Sequence, residues 1–463
     1  MSAEKRYQEF REPLERRFDE LTEPFNGFVR SQISGAVLLL AVTALALWIA
    51  NSGLHDTYTA LEHYRLGVIA GDQTFQITLH HWVNDGLMVL FFFMLGLEIK
   101  REVIAGELSS WKQSGVVFFA AIGGMLVPAA IYFAINAGEA SQHGWGIPMA
   151  TDTAFALGAL AFLGKKIPTG LKVFLVGLAI VDDIGAILVI TVFYTESLQY
   201  EMLLAGAGIL FVMTMMNALG IRSFLPYALF SVALWLAILQ SGVHATLAGV
   251  LAALTVPARP VQHPRQMART MNKAANALEK IKSVSKQDAL ADDKHHRILE
   301  EVSKQSRQTR TTLRIWENSI DRPVNLFVIP LFAFLNAGIA LSADMFAAMP
   351  TSTLSLGIIF GLLLGKPLGI AGMAWLATRL GWGKLPAGTK LSQIVGLGLL
   401  AGMGFTMSIF VSALSFPGNA ELLTEAKASI MVATLTAGIS GLLILYFSSQ
   451  TSSDSENGPD SSV

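Results

Sequence analysis

Long apolar runs separated by short polar loops recur along most of the chain. A membrane helix needs roughly 20 mostly apolar residues, and the runs match that length. The pattern therefore predicts an all-α polytopic membrane protein with about twelve transmembrane helices. The predicted spans lie at 33–50, 81–99, 116–135, 147–163, 173–193, 202–219, 224–239, 242–256, 324–341, 354–376, 394–414 and 430–447.

The basic residues of the loops test that count, because cytoplasmic loops are rich in Lys and Arg and the opposite loops are poor in them. The odd-numbered loops hold only Arg65 and Lys427. The even-numbered loops hold Lys100, Arg101, Lys112, Lys165, Lys166, Lys172, Arg222, the basic stretch 259–322, Arg379, Lys384 and Lys390. This alternation predicts that both termini lie in the cytoplasm.

Three segments outside the spans have distinct patterns. Residues 1–32 are strongly charged, lack the pattern of a cleavable signal peptide and are expected in the cytoplasm. Residues 64–79 alternate apolar and polar positions around a Gly-Asp pair, which predicts a small periplasmic β-hairpin. The Ser- and Asp-rich tail at 448–463 is expected to be disordered.

A longer polar segment, 258–322, divides the membrane part into helices 1–8 at 33–257 and helices 9–12 at 323–447. Its apolar residues recur at helical spacing and predict one or two cytoplasmic amphipathic helices. They are Met267, Met271, Leu278 and Ile281. Two interpretations stay open for this segment: a solvated helical linker, or a surface for a partner or for regulation.

Composition narrows the possible functions. Hydrophobic residues make up 52% of the chain and charged residues only 14%, against about 25% in soluble domains, so lipid is the expected main solvent. A net charge of −1 gives no electrostatic basis for binding nucleic acid. The sequence has no cysteine, which excludes disulfides, thiol nucleophiles and cysteine-ligated metal centres.

Four ionisable residues fall inside predicted spans: Asp152, Asp182, Asp183 and Lys366. Each costs about 2.5–3.5 kcal/mol at the centre of a bilayer, so a role in ion or proton transport is expected. Asp182 and Asp183 are adjacent and point about 100° apart on a helix, so they serve different roles. One can face Lys366 while the other faces a water-filled cavity.

Their chemistry suits Na⁺, a hard cation that prefers oxygen ligands, and Thr151 and Asp152 could supply more oxygens. Burial and a neighbouring negative charge both favour a protonated carboxyl, so one carboxylate can bind either a proton or Na⁺. The fourth and eleventh predicted spans are interrupted by Gly and Pro at matching positions. This pattern predicts two discontinuous helices, inverted repeats and a binding site at the midplane of the membrane.

From the first span to the last, the sequence resembles the NhaA family of bacterial Na⁺/H⁺ antiporters. The matching stretches are WVNDGLMVLFFFMLGLEIKRE, ATDTAFALG, LAIVDDIGAILVI, SGVHATLAG, PLFAFLNAG, LLLGKPLGI and GMGFTMSIF. The resemblance implies a bacterial inner-membrane antiporter, not an enzyme, that needs no cofactor. It also implies electrogenic exchange of two protons for each Na⁺ or Li⁺, pH regulation, and a homodimer formed through the hairpin.

The resemblance also implies residue roles. Asp182 and Asp183 form the ion- and proton-binding pair, with Asp183 as the principal ligand, and Thr151 and Asp152 lie beside them at the fourth-span break. Lys366 pairs with the first Asp and takes part in charge compensation or proton exchange.

A pH-response cluster is implied at the cytoplasmic mouth by Glu98, Arg101, Glu102 and Glu317. Where some members carry histidines near the last position, this chain has Asn318 and Asp321. His244 is either a residue that tunes the pH response or a packed interfacial histidine, and Asp85 is interpreted as structural.

Other functions fit these residues less well than antiport does. An intramembrane aspartyl protease also needs paired carboxylates, but the sequence around them here is TDT and VDDIG. GLLLGKPLG lacks the spacing of a phosphate-binding loop. A Na⁺-coupled symporter for an organic solute and an ion channel are the remaining alternatives; growth or flux that requires the solute indicates the first, and current without obligatory proton exchange indicates the second.

Overall fold

The structure is a computed structural model of the chain. It describes residues 32–70, 73–106, 111–195, 198–260, 264–279, 297–298, 300–303, 309–386 and 388–456. The N-terminal segment predicted at 1–32 lies outside the described residues except for Gln32, and much of the predicted 258–322 loop lies outside them as well.

The first half of the described chain consists of α-helices around one β-hairpin. Its elements are α1 (Gln32–Ala50), α2 (His55–Glu62), β1 (Arg65–Ala70), β2 (Gln73–Thr78), a π-helical turn (Trp82–Leu87), α3 (Met88–Ala105), α4 (Trp111–Ile135), a 3₁₀-helix (Ala140–Met149), α5 (Thr153–Phe162), α6 (Thr169–Phe193), α7 (Tyr200–Ala218), α8 (Phe224–Ser241) and α9 (Leu247–Thr255).

The second half is helical throughout its described elements. These are α10 (Pro264–Glu279), α11 (Thr312–Pro323), a π-helical turn (Val324–Val328), α12 (Ile329–Ala337), α13 (Ala343–Ala348), α14 (Thr353–Phe360), a π-helical turn (Gly361–Gly365), α15 (Lys366–Arg379), α16 (Leu391–Ala401), α17 (Phe405–Ser415) and α18 (Ala420–Glu456).

Among the described residues, seven helices are long and apolar enough to cross a membrane, or nine if each of two bent helix pairs forms one span. Three of the twelve predicted spans are outside this set. The second predicted span overlaps α3, which carries four charged residues, and the fourth and eighth correspond to α5 and α9, which have only 10 and 9 residues. A multi-pass helical membrane protein is thus confirmed, and the count of twelve stays a prediction.

The small antiparallel sheet predicted from the alternation is confirmed. Its two strands pair from Arg65 opposite Thr78 to Ala70 opposite Gln73. Trp82 Nε1 donates a hydrogen bond to the Leu66 carbonyl at 3.1 Å, which fixes the hairpin to the start of the following helix. We call this side of the helix bundle the hairpin end.

Two helix boundaries differ from the sequence prediction. The ninth predicted span begins at 324, but helix is continuous from Thr312 to Ala337, with Leu313 and Trp316 of α11 buried against neighbouring helices. The buried apolar residues of this helix therefore begin about three helical turns before the start of the predicted span. The tail predicted to be disordered at 448–463 is helical in its first part, because α18 continues to Glu456, and residues 457–463 lie outside the described residues.

A glycine-mediated crossing brings α4 and α15 unusually close. A Cβ atom on Gly369 would lie 2.1 Å from the Gly123 carbonyl oxygen, and one on Gly123 would lie 2.2 Å from the Gly369 carbonyl oxygen. Only glycine permits this approach of two backbones. Lys366, one turn before Gly369, is thereby held in the protein interior beside Gly124.

Candidate functional site

Two interrupted helical segments meet where the buried charges lie. Between the 3₁₀-helix and α5, Ala150 and Asp152 have extended backbones, and α16 and α17 are bent by 51° at their junction. The Asp152 N–H donates to the Met403 carbonyl at 2.8 Å, and the Ser408 hydroxyl donates to the Ile147 carbonyl at 2.8 Å. The backbone groups that lose their helical partners at one interruption therefore form hydrogen bonds with the other interrupted segment. A buried backbone polar group needs such a partner, because no water is present to bond it.

Asp152 links the two helices that begin after these interruptions. Its Oδ1 accepts a hydrogen bond from the Phe155 N–H at 3.1 Å and so caps α5. Its Oδ2 accepts from the Thr406 N–H at 3.1 Å and from the Thr406 hydroxyl at 2.6 Å, at the start of α17. A carboxylate at two helix N-termini compensates the partial positive charge of both, so these three hydrogen bonds of Asp152 stabilise the scaffold.

Thr151, Asp182 and Lys366 form one buried polar group. The Lys366 ammonium, whose side chain is 0% exposed, pairs with Asp182 Oδ2 and donates to the Thr151 hydroxyl oxygen at 2.8 Å. Thr151 Oγ1 lies 2.5 Å from Asp182 Oδ2 and 2.9 Å from the carbonyl oxygen of Ala401. The other oxygen of Asp182, Oδ1, is buried and has no hydrogen-bond partner among the residues that the structure describes.

Asp183 is the less constrained member of the pair. It is buried on α6, and its Oδ2 accepts one long hydrogen bond, from the Thr153 hydroxyl at 3.4 Å. Asp182 and Asp183 therefore have unlike environments: the first is neutralised by an ammonium, and the second has no ion pair among the described residues. Their 100° separation on the helix had predicted such a difference in environment.

The arrangement offers oxygen ligands to a small hard cation. The unpartnered Oδ1 of Asp182 and the weakly bonded carboxylate of Asp183 are available, and threonine hydroxyls and interrupted backbone carbonyls surround them. In the described part of the chain, no three His, Cys, Asp or Glu side chains converge on a metal position. A cation held here would be bound by few carboxylates together with neutral oxygens, which suits a weakly and reversibly bound monovalent ion.

The four residues predicted as a pH-response cluster are brought together around Arg101. Its guanidinium lies 3.3 Å from Glu98, 2.5 Å from Glu102 and 2.9 Å from Glu317, the last on α11. Arg314 adds a longer contact of 3.5 Å to Glu317. The cluster thus joins α3 to α11 through charges, and three carboxylates share one central cation.

His244 lies at the hairpin end, away from that cluster. Its Nε2 is 4.0 Å from Asp85 Oδ1, its Nδ1 is 2.9 Å from the Thr246 hydroxyl, and its ring meets the Phe410 ring edge-on. His244 and Asp85 line a cavity of about 510 Å³. These contacts fit both a packed histidine and one that tunes the pH response, so the role of His244 in the pH response stays a prediction.

Sequence reasoning missed several contributors to the site. Thr406 bonds Asp152 twice, Thr153 bonds Asp183, and Ala401 supplies a carbonyl oxygen. Thr153 and Thr406 do stand in the stretches ATDTAFALG and GMGFTMSIF, but a hydroxyl in a membrane helix is cheap to bury and gave no signal. The Ala401 carbonyl belongs to the backbone, so no pattern of side chains could have indicated its role.

Comparison with known proteins identifies the family. The family model described as Na⁺/H⁺ antiporter 1 matches residues 26–445. The chain is 46% identical over 427 residues to Na(+)/H(+) antiporter NhaA of Oleidesulfovibrio alaskensis, covering 92% of this chain and 94% of that protein. It is 44% identical over 432 residues to Na(+)/H(+) antiporter NhaA 2 of Psychromonas ingrahamii (93% and 91%) and 41% identical over 434 residues to Na(+)/H(+) antiporter NhaA of Helicobacter pylori (94% and 97%). These relatives are transporters rather than enzymes, and with a family match across nearly the whole length the chain belongs to the NhaA family of Na⁺/H⁺ antiporters.

Proposed function

We propose that this chain exports Na⁺, and Li⁺, in electrogenic exchange for two protons per cation, with Na⁺ and H⁺ competing for Asp182 and Asp183. The observation that carries the proposal is the buried pair itself. Within the described part of the chain, Lys366 holds one carboxylate and leaves one of its oxygens without a partner, and the neighbouring carboxylate accepts a single weak hydrogen bond, from Thr153. A site of this kind can bind a proton or Na⁺ but not both at once, and exposing it alternately to each side of the membrane produces antiport.

The charges of the site account for the electrogenic step. With both carboxylates ionised and Lys366 protonated, the group carries about −1 elementary charge; Na⁺ brings it to about 0, and two protons bring it to about +1. One net charge therefore crosses the membrane in each cycle. In this proposal, Lys366 compensates the negative charge of the site in every state. Asp152, together with Thr151, holds the two interrupted helices in place relative to each other.

Regulation by pH is proposed for the cluster around Arg101. Protonating the surrounding carboxylates at acidic pH weakens the attraction that joins α3 to α11, so the contact between these helices depends on pH. His244, near Asp85, is proposed as a second contributor.

The same proposal covers the arrangement in the membrane. In the proposed arrangement, the chain has twelve spans with inverted repeats, and its fourth and eleventh helices are discontinuous. Both termini lie in the cytoplasm. The protein lies in a bacterial inner membrane as a homodimer formed through β1 and β2. The basic residues of the even-numbered loops support the orientation.

The deciding experiment measures Na⁺- and Li⁺-induced proton flux in proteoliposomes, across the neutral to alkaline range, for the wild type and Asp183→Asn. The amide keeps the volume but cannot exchange a proton, so saturable exchange should be lost in the folded variant. Asp344→Asn makes the same chemical change at an exposed position of α13 and serves as the matched control. Full exchange in Asp183→Asn refutes the site, and exchange absent with both cations in the wild type refutes the proposed transport.

A further inference from the structure

Helix α10 has two unlike faces. Among the residues whose side chains are described, Met267, Met271 and Ala274 lie on one face, since they fall within about 60° of one another at 100° per residue. Arg269 and Asn276 lie about 180° from that face, and both are exposed. A solvated linker has no reason to separate its apolar and basic residues in this way.

The apolar face is not taken up by the helix bundle. Met267 and Met271 belong to none of the hydrophobic clusters formed by the described residues, and 49% of Met271 is exposed. An amphipathic helix with such a face is stable when another apolar phase covers it.

The charge of this segment indicates which apolar phase covers the face. Residues 259–282 carry six basic residues and a single acidic one, Glu279. The basic residues are Arg259, Arg265, Arg269, Lys273, Lys280 and Lys282. A cluster of four to eight Lys and Arg next to a membrane helix, or on an amphipathic helix, is the pattern that recognises anionic lipid headgroups.

The chain places α10 within reach of a bilayer. Only the eight residues 256–263 separate α9 from α10, so the two helices are at most about 30 Å apart. The end of α9 is held to α3 by Lys100, whose ammonium donates to the carbonyls of Leu254 at 2.6 Å and Val256 at 2.5 Å. Helix α10 therefore starts from the same end of the bundle as the Arg101 cluster.

We propose that α10 lies in the plane of the membrane surface, with Met267 and Met271 inserted among the lipids and Arg269 and Lys273 bound to anionic headgroups. The helix is then a lipid-binding element that connects the composition of the membrane to the segment between α9 and α11. This inference goes beyond Na⁺/H⁺ exchange and does not depend on it.

The absence of cysteine in the sequence permits a direct test on the full-length protein. Met271→Cys and, as the matched control on the polar face, Asn276→Cys each receive one nitroxide label. Both are reconstituted in vesicles of phosphatidylcholine alone or of phosphatidylcholine with phosphatidylglycerol. With phosphatidylglycerol, the label at 271 should be shielded from a water-soluble relaxation agent and reached by oxygen, whereas the label at 276 should stay accessible to water in both.

A charge variant separates lipid binding from packing on protein. Arg269→Gln with Lys273→Gln should lower the ratio of shielded to exposed label at 271 by about twenty-five-fold, since each cation contributes about a factor of five. Gel filtration of the labelled proteins verifies the fold without reference to transport. A label at 271 that is exposed in phosphatidylglycerol vesicles overturns the proposal. So does a label shielded equally in both lipids and in the charge variant, which assigns the face to another part of this chain or to a protein partner.

Discussion

Replacing Lys366 by Met should destabilise the protein, because it removes the ammonium and leaves most of the side-chain volume. Lys366 is completely buried, and it is the cation that neutralises Asp182. Without it, the Thr151 hydroxyl is the remaining hydrogen-bond partner of Asp182 among the described residues, and Oδ1 has none there. The variant must then either bury an unpaired carboxylate or protonate it.

The magnitude follows from the burial of this pair. Removing one partner of a buried ion pair costs about 3–5 kcal/mol, whereas replacing both partners by neutral groups of similar volume is often nearly neutral. Lys366→Met alone should therefore lower the free energy of unfolding by about 3–5 kcal/mol at alkaline pH. Adding Asp182→Asn should recover most of that loss.

Reversible SDS denaturation of the detergent-solubilised protein gives the free energies of unfolding, with Lys384→Met, at an exposed lysine, as the control. A single variant within about 1 kcal/mol of the wild type at alkaline pH, or a double variant no more stable than the single one, would refute the reasoning.

Three further predictions concern other contacts. Gly369→Ala places a Cβ against the backbone of α4 and should cost about 1–3 kcal/mol, whereas Gly372→Ala, which meets nothing within 4 Å, should be neutral; equal thermal stability of the two variants would contradict the crossing. Asp152→Asn turns one acceptor into a donor facing the Thr406 N–H and should cost about 1–3 kcal/mol, and Thr406→Val should cost less; thermal unfolding that shows the reverse order would contradict the capping role. Arg101→Met leaves three carboxylates together, so its melting temperature should fall below that of the wild type as pH rises and approach it at acidic pH; a difference independent of pH would contradict the assignment.

The sequence was sufficient for properties that belong to single residues or to one stretch of chain. Apolar runs predicted membrane helices, alternation predicted the two strands of the hairpin, and the cost of burying charge singled out Asp182, Asp183 and Lys366. These inferences hold because hydropathy and desolvation act on each segment, whatever its neighbours are. The residues indicated that one of the two aspartates can face Lys366, and the family resemblance assigned that role to Asp182.

Contacts between distant segments were decided by the tertiary structure. Helical periodicity specifies which residues share a face but not which faces meet, so the sequence did not indicate that Thr406 would bond Asp152 or that the Ala401 carbonyl would approach Thr151. The same holds for the close passage of α4 past α15 at Gly369, which packs Lys366 into the interior. The sequence by itself determined which residues are too costly to bury without a purpose; the fold determined their partners, because a hydrogen bond or an ion pair depends on where two segments meet in space.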